Sequence, residues 1–273
     1  MKILMKKRQE LEAAGRWDID FHLPPEGIKK FPSELLRRID AVAEVVKDKR
    51  DPGKEPEVPF QYIDIAAVDV TVGVIANPQD LEGSEAPSRA RKVVRAFDLI
   101  VSTCRPTRGA VAVVPVSLHN QIASTAFSIV RPHVDVNPFY LHFALRLPST
   151  MEQFRKWSTG SSYPAILDSD VKKTLIPVPP PEVQDAIASR VVAALQERAK
   201  AIRAANSVWG SVLSEITASL TGKEEAQAEI MESGSLQFEA FSLAAVQATL
   251  AELPALRTDS SINGDIEEDL FSV

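Results

Sequence analysis

The spacing of apolar residues divides the chain into regions of different period. Phe60, Tyr62, Ile63, Ile65, Val68, Val70, Val72 and Val74 alternate imperfectly, and apolar blocks follow at 96–102, 109–114 and 122–130. Short period-two runs separated by turn residues predict strands, and an antiparallel, hairpin-linked sheet is the simplest arrangement for them. Further on the period lengthens to seven. Leu195, Ile202, Trp209 and Ile216 form one series, and Val192, Ala199, Asn206, Leu213 and Leu220 interleave with it. Arg190, Glu197, Arg198, Lys200 and Arg203 keep to the other faces. This is the seam of a helix that packs along a partner helix, with Asn206 fixing register at some cost in stability. Pro181 and Glu182 suit its first turn and Gly222 its end. A helix over 181–221 is about 60 Å long at 1.5 Å per residue.

Helical spacing also appears at 31–46, where Leu35, Leu36, Ile39, Val42, Ala43 and Val46 form a stripe, and in shorter pieces at 6–14, 137–147 and 149–157. A strand is expected at 175–178, just before the proline run. Residues 1–30 read as a lead-in, 31–180 as a β-rich domain with short helices, 181–221 as the long helix and 222–273 as a tail. The fold class expected is α+β. The tail has one amphipathic piece at 236–253; otherwise it reads as a solvated extension, with an add-on that contacts a partner as the alternative, and its end at 258–269 reads as disordered.

The chain has 273 residues, one cysteine (Cys104) and a net charge of −6. One cysteine excludes an internal disulfide and a cysteine-cluster metal site. The absence of a long apolar run or a signal-like N-terminus leads us to expect a cytoplasmic protein with no membrane partner. The charge is unevenly placed. Residues 223–273 hold 2 basic and 11 acidic residues, a balance of −9, whereas residues 28–180 hold 20 basic and 17 acidic, a balance of +3. The body is therefore mildly basic, and its arrangement in space decides whether it can face nucleic acid.

Catalytic chemistry is hard to find. His22, His119, His133 and His142 have no ligand-like spacing. No glycine-rich phosphate loop opens a helix. Asn137-Pro138-Phe139-Tyr140 is a poor match to the catalytic tetrapeptide of an adenine methyltransferase. The chain reads as a binder with no active site and no cofactor of its own.

Several segments together resemble a known family. They are Phe60-Gln61-Tyr62-Ile63-Asp64-Ile65, the run 96–103, the run 121–132, the loop Gly160-Ser161-Ser162-Tyr163-Pro164-Ala165-Ile166, and Ile176-Pro177-Val178-Pro179-Pro180-Pro181-Glu182-Val183-Gln184 before a long helix. They are similar to the target recognition domain and spacer helix of the specificity (S) subunits of type I restriction–modification enzymes. A full S subunit carries two such domains and two helices; this sequence shows one of each, like a half-subunit. The resemblance implies a domain that reads one half of a bipartite site in double-stranded DNA. It implies a helix that sets the distance to the other half and docks the methyltransferase (M) subunit, which carries S-adenosylmethionine. A restriction (R) subunit is a further implied partner, and the half-subunit would pair with itself or with another half-subunit.

For such a function, Lys and Arg supply phosphate affinity and loop side chains reach base edges. Three segments offer these groups: Arg89, Arg91 and Lys92; Arg105, Thr107 and Arg108; and Ser158, Thr159, Ser161, Ser162 and Tyr163. An Arg at the turn has the geometry to take guanine bidentately. The seam residues are the expected helix interface. The competing reading is a coiled-coil adaptor whose β-rich body binds a protein or a small ligand.

Overall fold

The computed structural model describes residues 5–17, 19–23, 25–160, 162–221 and 242–259. Two short helices lead in, α1 (Arg8–Ala14) and α2 (Ile19–His22). The body follows with β1 (Leu36–Arg38), β2 (Ala43–Val46), β3 (Pro59–Ile63), β4 (Val68–Asp69), β5 (Val74–Ile75), β6 (Gln79–Glu82), β7 (Ala90–Val94), β8 (Leu99–Ser102), β9 (Val111–Val113), β10 (Gln121–Ser124) and β11 (Phe127–Pro132). Then come α3 (Pro138–Leu145), α4 (Pro148–Trp157), α5 (Asp168–Lys173), β12 (Leu175–Pro177), the long α6 (Pro181–Thr221) and α7 (Leu243–Glu252). The fold is α+β, as expected.

Two four-stranded sheets form the body, ordered β2-β11-β8-β9 and β6-β3-β10-β7. Side-chain alternation explains how they stack. Val46, Ile100, Ala112, Phe127 and Ile129 of the first sheet share a core with Ile63, Val94 and Ala123 of the second. The opposite face of the first sheet, with Val45, Leu99, Val101, Val111 and Val113, packs with Phe139, Leu141 and Leu145 of α3 and Phe154 of α4. The order of layers is therefore sheet, sheet, helices.

The expected helix at 31–46 is replaced by β1 and β2, joined by a 3₁₀ turn at Ile39–Ala41. Its apolar spacing is compatible with either state. The outcome is set by β12 and β11, whose open edges take up the backbone groups of β1 and β2. The run 122–130 is two strands rather than one. β10 and β11 lie in different sheets, with the chain turning between them at Thr125 and Ala126. An all-antiparallel sheet is also corrected, because β3 and β10 pair in parallel. The strand β6 had too little alternation to be foreseen; β6 and β7 flank that central pair.

The proline junction fixes the root of α6. Tyr140 Oη donates to the Pro177 carbonyl at 2.6 Å. Gln184 is 2% exposed; its Nε2 donates to the Pro179 carbonyl at 2.8 Å and its Oε1 accepts the Asn137 amide at 3.0 Å. Asn137 caps α3 with Oδ1 and donates from Nδ2 to Asp185 at 2.6 Å. The suspect tetrapeptide at 137–140 is thus a buried helix cap. Ala188, Val192 and Leu195 are buried on the body, and Arg198 pairs with Asp69 at 3.0 Å.

Beyond this root α6 stands clear. Ala199 is half-buried and Asn206 exposed, while Ile202 is 38%, Trp209 64%, Leu213 45%, Ile216 51% and Leu220 82% exposed. The proposed interface is corrected at its start: Val192 and Leu195 face the chain's own core, and the seam open to another helix begins at Ala199.

The described part of the tail is no solvated extension. Ser242 caps α7, the Leu243 amide donates to Asp185 at 3.1 Å, and Val246 is buried in the helical core beside Leu250 and Leu253. Leu256 covers Phe60, Tyr62 and Ile122 on the outer face of the second sheet. Most of the segment expected to be disordered, and the first part of the amphipathic piece, lie outside the described residues.

Candidate nucleic-acid interface

The three candidate segments are far apart in sequence, and the strand order brings them to one rim. Its centre is the turn at Thr125 and Ala126. The Thr125 amide donates to the Arg89 carbonyl at 2.9 Å. The Ala126 carbonyl accepts both the amide and the hydroxyl of Thr103, each at 2.9 Å. The Thr103 carbonyl in turn accepts the Ile166 amide at 2.9 Å, and the Arg105 amide donates to the Pro164 carbonyl at 2.7 Å. A continuous set of backbone bonds therefore joins the start of β7, the loop after β8 and the loop between α4 and α5.

The second and third segments also touch through side chains. Arg105 adopts the left-handed conformation with φ 47°. Its guanidinium lies 4.5 Å from the centre of the Tyr163 ring, and Nη2 reaches the Ser162 carbonyl at 3.4 Å. The Tyr163 side is otherwise open, at 76% exposed. A cation on an aromatic face is held at the surface with part of its rotamer freedom already lost. Thr107 and Arg108 are exposed on the 3₁₀ turn that follows. Loop 159–165 closes on itself through reciprocal Thr159–Ala165 backbone bonds at 2.9 and 2.8 Å, leaving Thr159 and Ser162 exposed. The Ser158 hydroxyl turns back to the Phe154 carbonyl at 2.8 Å. Ser161 lies outside the described residues.

The first segment is divided. Arg89 is exposed. Arg91 lies along its own backbone, donating to the Ala90 carbonyl at 2.8 Å and pairing with Asp51 at 3.4 Å. Lys92 points inward: Nζ donates to the Phe127 carbonyl at 2.6 Å and sits 3.8 Å from Asp168. Burial pushes its ammonium below the ordinary lysine range, against the pull of Asp168 and with the repulsion of Lys49 and Lys47. Those two lysines were missed from sequence. They stand in a polar loop with nothing to distinguish it, and a backbone bridge between Lys49 and Lys92 carries them to the rim. Among the described residues Lys47, Lys49 and Arg89 have no ion-pair partner.

The rim offers cations, hydroxyls and the Tyr163 ring, groups whose chemistry suits phosphates and base edges. Among the described residues no group of three or more His, Cys, Asp or Glu is placed to hold a metal. A depression of about 370 Å³ at the β6 edge is lined by Asp80, Glu82 and Glu85 and repels phosphate. Among the described residues no helix is long and apolar enough to cross a membrane.

No family model matches the sequence. Individual relatives do. The chain is 29% identical over 116 residues to the type I restriction enzyme HindI specificity subunit of Haemophilus influenzae, a match covering 41% of this chain and 24% of that protein. The crystal structure of the HsdS subunit from Thermoanaerobacter tengcongensis superposes with a TM-score of 0.54 at 38% identity, covering 67% of this chain and 46% of that one. A chain from a structure on complex assembly and conformational transition of the type I R-M system gives a TM-score of 0.54 at 38% identity, covering 69% and 48%. The chain thus spans less than half the length of each of these relatives. Over the region they share, it is homologous to the specificity (HsdS) subunits of type I restriction–modification systems.

Proposed function

We propose that this chain is a non-catalytic DNA sequence-recognition subunit of a type I restriction–modification or adenine methyltransferase complex. The observation that carries this reading is the convergence of three separately predicted segments on one rim, in a chain whose long helix leaves the body with a bare apolar seam. Arg89, Arg108, Lys47 and Lys49 supply phosphate contacts, while Arg105, Thr107, Thr159, Ser162 and Tyr163 stand where base edges are read. The body, residues 31–180, takes one half of a bipartite site. The helix α6 sets the distance to the second half and docks the methyltransferase subunit, which brings S-adenosylmethionine and the chemistry. A second copy, paired antiparallel through Ile202, Trp209, Leu213, Ile216 and Leu220, gives a symmetric target. A restriction subunit joins the assembly, and the setting is cytoplasmic.

The test is the mass in solution of the chain alone and co-expressed with its methyltransferase, together with duplex binding across salt concentrations. Two copies of each chain in a complex with salt-dependent DNA affinity is the expected result. A strict monomer that ignores both methyltransferase and DNA refutes the reading and leaves the adaptor alternative.

A further inference from the structure

We infer that Lys92 is a positioning residue for base selectivity: with Asp168 and Ser128 it forms a buried post that sets the segment 162–167, which carries Ser162 and Tyr163, against Arg89; this rests on the recognition reading above. Asp168 is the first residue of α5 and follows that segment directly. One of its carboxylate oxygens accepts the Ser128 hydroxyl from β11, and the other faces Lys92 Nζ of β7 at 3.8 Å. The same ammonium donates to the Phe127 carbonyl at 2.6 Å, just past the turn at Thr125 and Ala126. β7 and β11 belong to different sheets. One carboxylate therefore ties the segment to both.

The post stands where β7 loses its ladder. Pairing with β10 steps from Lys92–Ala123 to Ala90–Ser124, which makes Arg91 a bulge residue and interrupts the pairing between Lys92 and Arg89. Beyond the bulge the Arg89 carbonyl holds the Thr125 amide at 2.9 Å. Lys92 is poorly placed to meet a phosphate itself. Its side chain is 13% exposed and that of Asp168 21%, while Ser128 is fully buried. Lys47 and Lys49 repel an ammonium that burial already disfavours, and Asp168 is the charge that offsets both effects. Phosphate contacts tolerate a displaced loop, because a cation acts over several ångströms, whereas base contacts need hydrogen-bond distance and direction. A shift of about 1 Å in the segment therefore changes which sequence is read more than how tightly the DNA backbone is held.

The experiment uses the full chain with its co-expressed methyltransferase. The wild type selects a preferred duplex from a library with random central bases, and affinities for that duplex and for the unselected library are measured across salt. Lys92→Met is expected to lower the selected-to-random affinity ratio about tenfold, the size of one lost base contact, while the slope of log affinity against log salt stays the same. Arg89→Gln should instead reduce that slope by about 0.9. Asp168→Asn, nearly isosteric, should reproduce the Lys92→Met loss, and the double variant should lose no more than either alone. Circular dichroism identifies a variant that fails to fold; if that is Lys92→Met, Asp168→Asn carries the test. A reduced slope in Lys92→Met makes Lys92 a phosphate contact and overturns the proposal. An unchanged ratio, or additive losses in the double variant, overturns it as well while leaving the recognition reading intact. A wild type that enriches no sequence overturns the recognition reading and the post with it.

Discussion

His142 makes the stability of this fold depend on pH in a way that one substitution isolates. It lies on α3, 4% exposed, beneath the β4–β5 hairpin. Gly73 at the hairpin has φ +73°, and a Cβ there would collide with the His142 ring and the Val111 carbonyl, so backbone and imidazole are in close contact. The charged groups facing this pocket are Arg146, which donates to the Val70 and Thr71 carbonyls at 2.9 and 3.0 Å, and Asp69 on the hairpin. Burial first, and the Arg146 charge second, push the imidazole down to about 4. In the unfolded chain it titrates near ~6.5. Between these values the unfolded state binds the proton and the folded state refuses it. Stability is therefore unaffected above about pH 6.5 and falls as pH drops toward about 4. At pH 5 the linkage amounts to about 2 kcal/mol, taking ~1.36 kcal/mol per unit. The perturbation is His142→Leu, and the assay is urea unfolding of both proteins from pH 7.5 to 4.5. Carboxylates common to both cancel in the difference. Wild type should lose about 2 kcal/mol more than the variant on going from pH 7.5 to 5. Parallel pH profiles would refute the reasoning. Because Asp69 on the same hairpin holds Arg198 of α6 at 3.0 Å, acidification should also loosen the root of the long helix.

Gln184→Leu should cost about 2–4 kcal/mol in urea unfolding, because it leaves the Asn137 amide and the Pro179 carbonyl without their partner. Arg105→Ala with Arg108→Ala should weaken duplex binding by about 1–3 kcal/mol while the circular dichroism spectrum stays unchanged; unaltered affinity and sequence preference would remove that loop from the interface. Leu213→Asp with Ile216→Asp alters residues already 45% and 51% exposed. The thermal midpoint should therefore hold while self-association, read by light scattering, is lost.

The sequence by itself determined what depends on local period and local chemistry. The heptad from Ala199 to Leu220 yields one long helix because each turn repeats the same face. Asn137-Pro138 opens α3 because an amide oxygen caps the free N–H groups and proline tolerates the first turn. The three basic or hydroxyl-rich segments could be singled out because charge and turn residues are visible one residue at a time. The tertiary structure decided everything that needs a partner from far along the chain. Residues 31–46 carry a stripe that suits a helix, and become strands because β12 and β11 lie alongside to receive their backbone bonds. Val192 and Leu195 share the heptad with Leu213, yet the body covers the first two and leaves the third bare. Lys92 and Arg89 stand three residues apart with the same charge. One ammonium is taken inside by the Phe127 carbonyl while the other side chain stays in water, and no local pattern distinguishes them. Lys47 and Lys49 join the rim only because Lys49 pairs with Lys92 across the sheet edge. Hydrogen-bond pairing and burial are properties of the packed chain, so which cation stays exposed and which is a structural support is settled only when the sheets close.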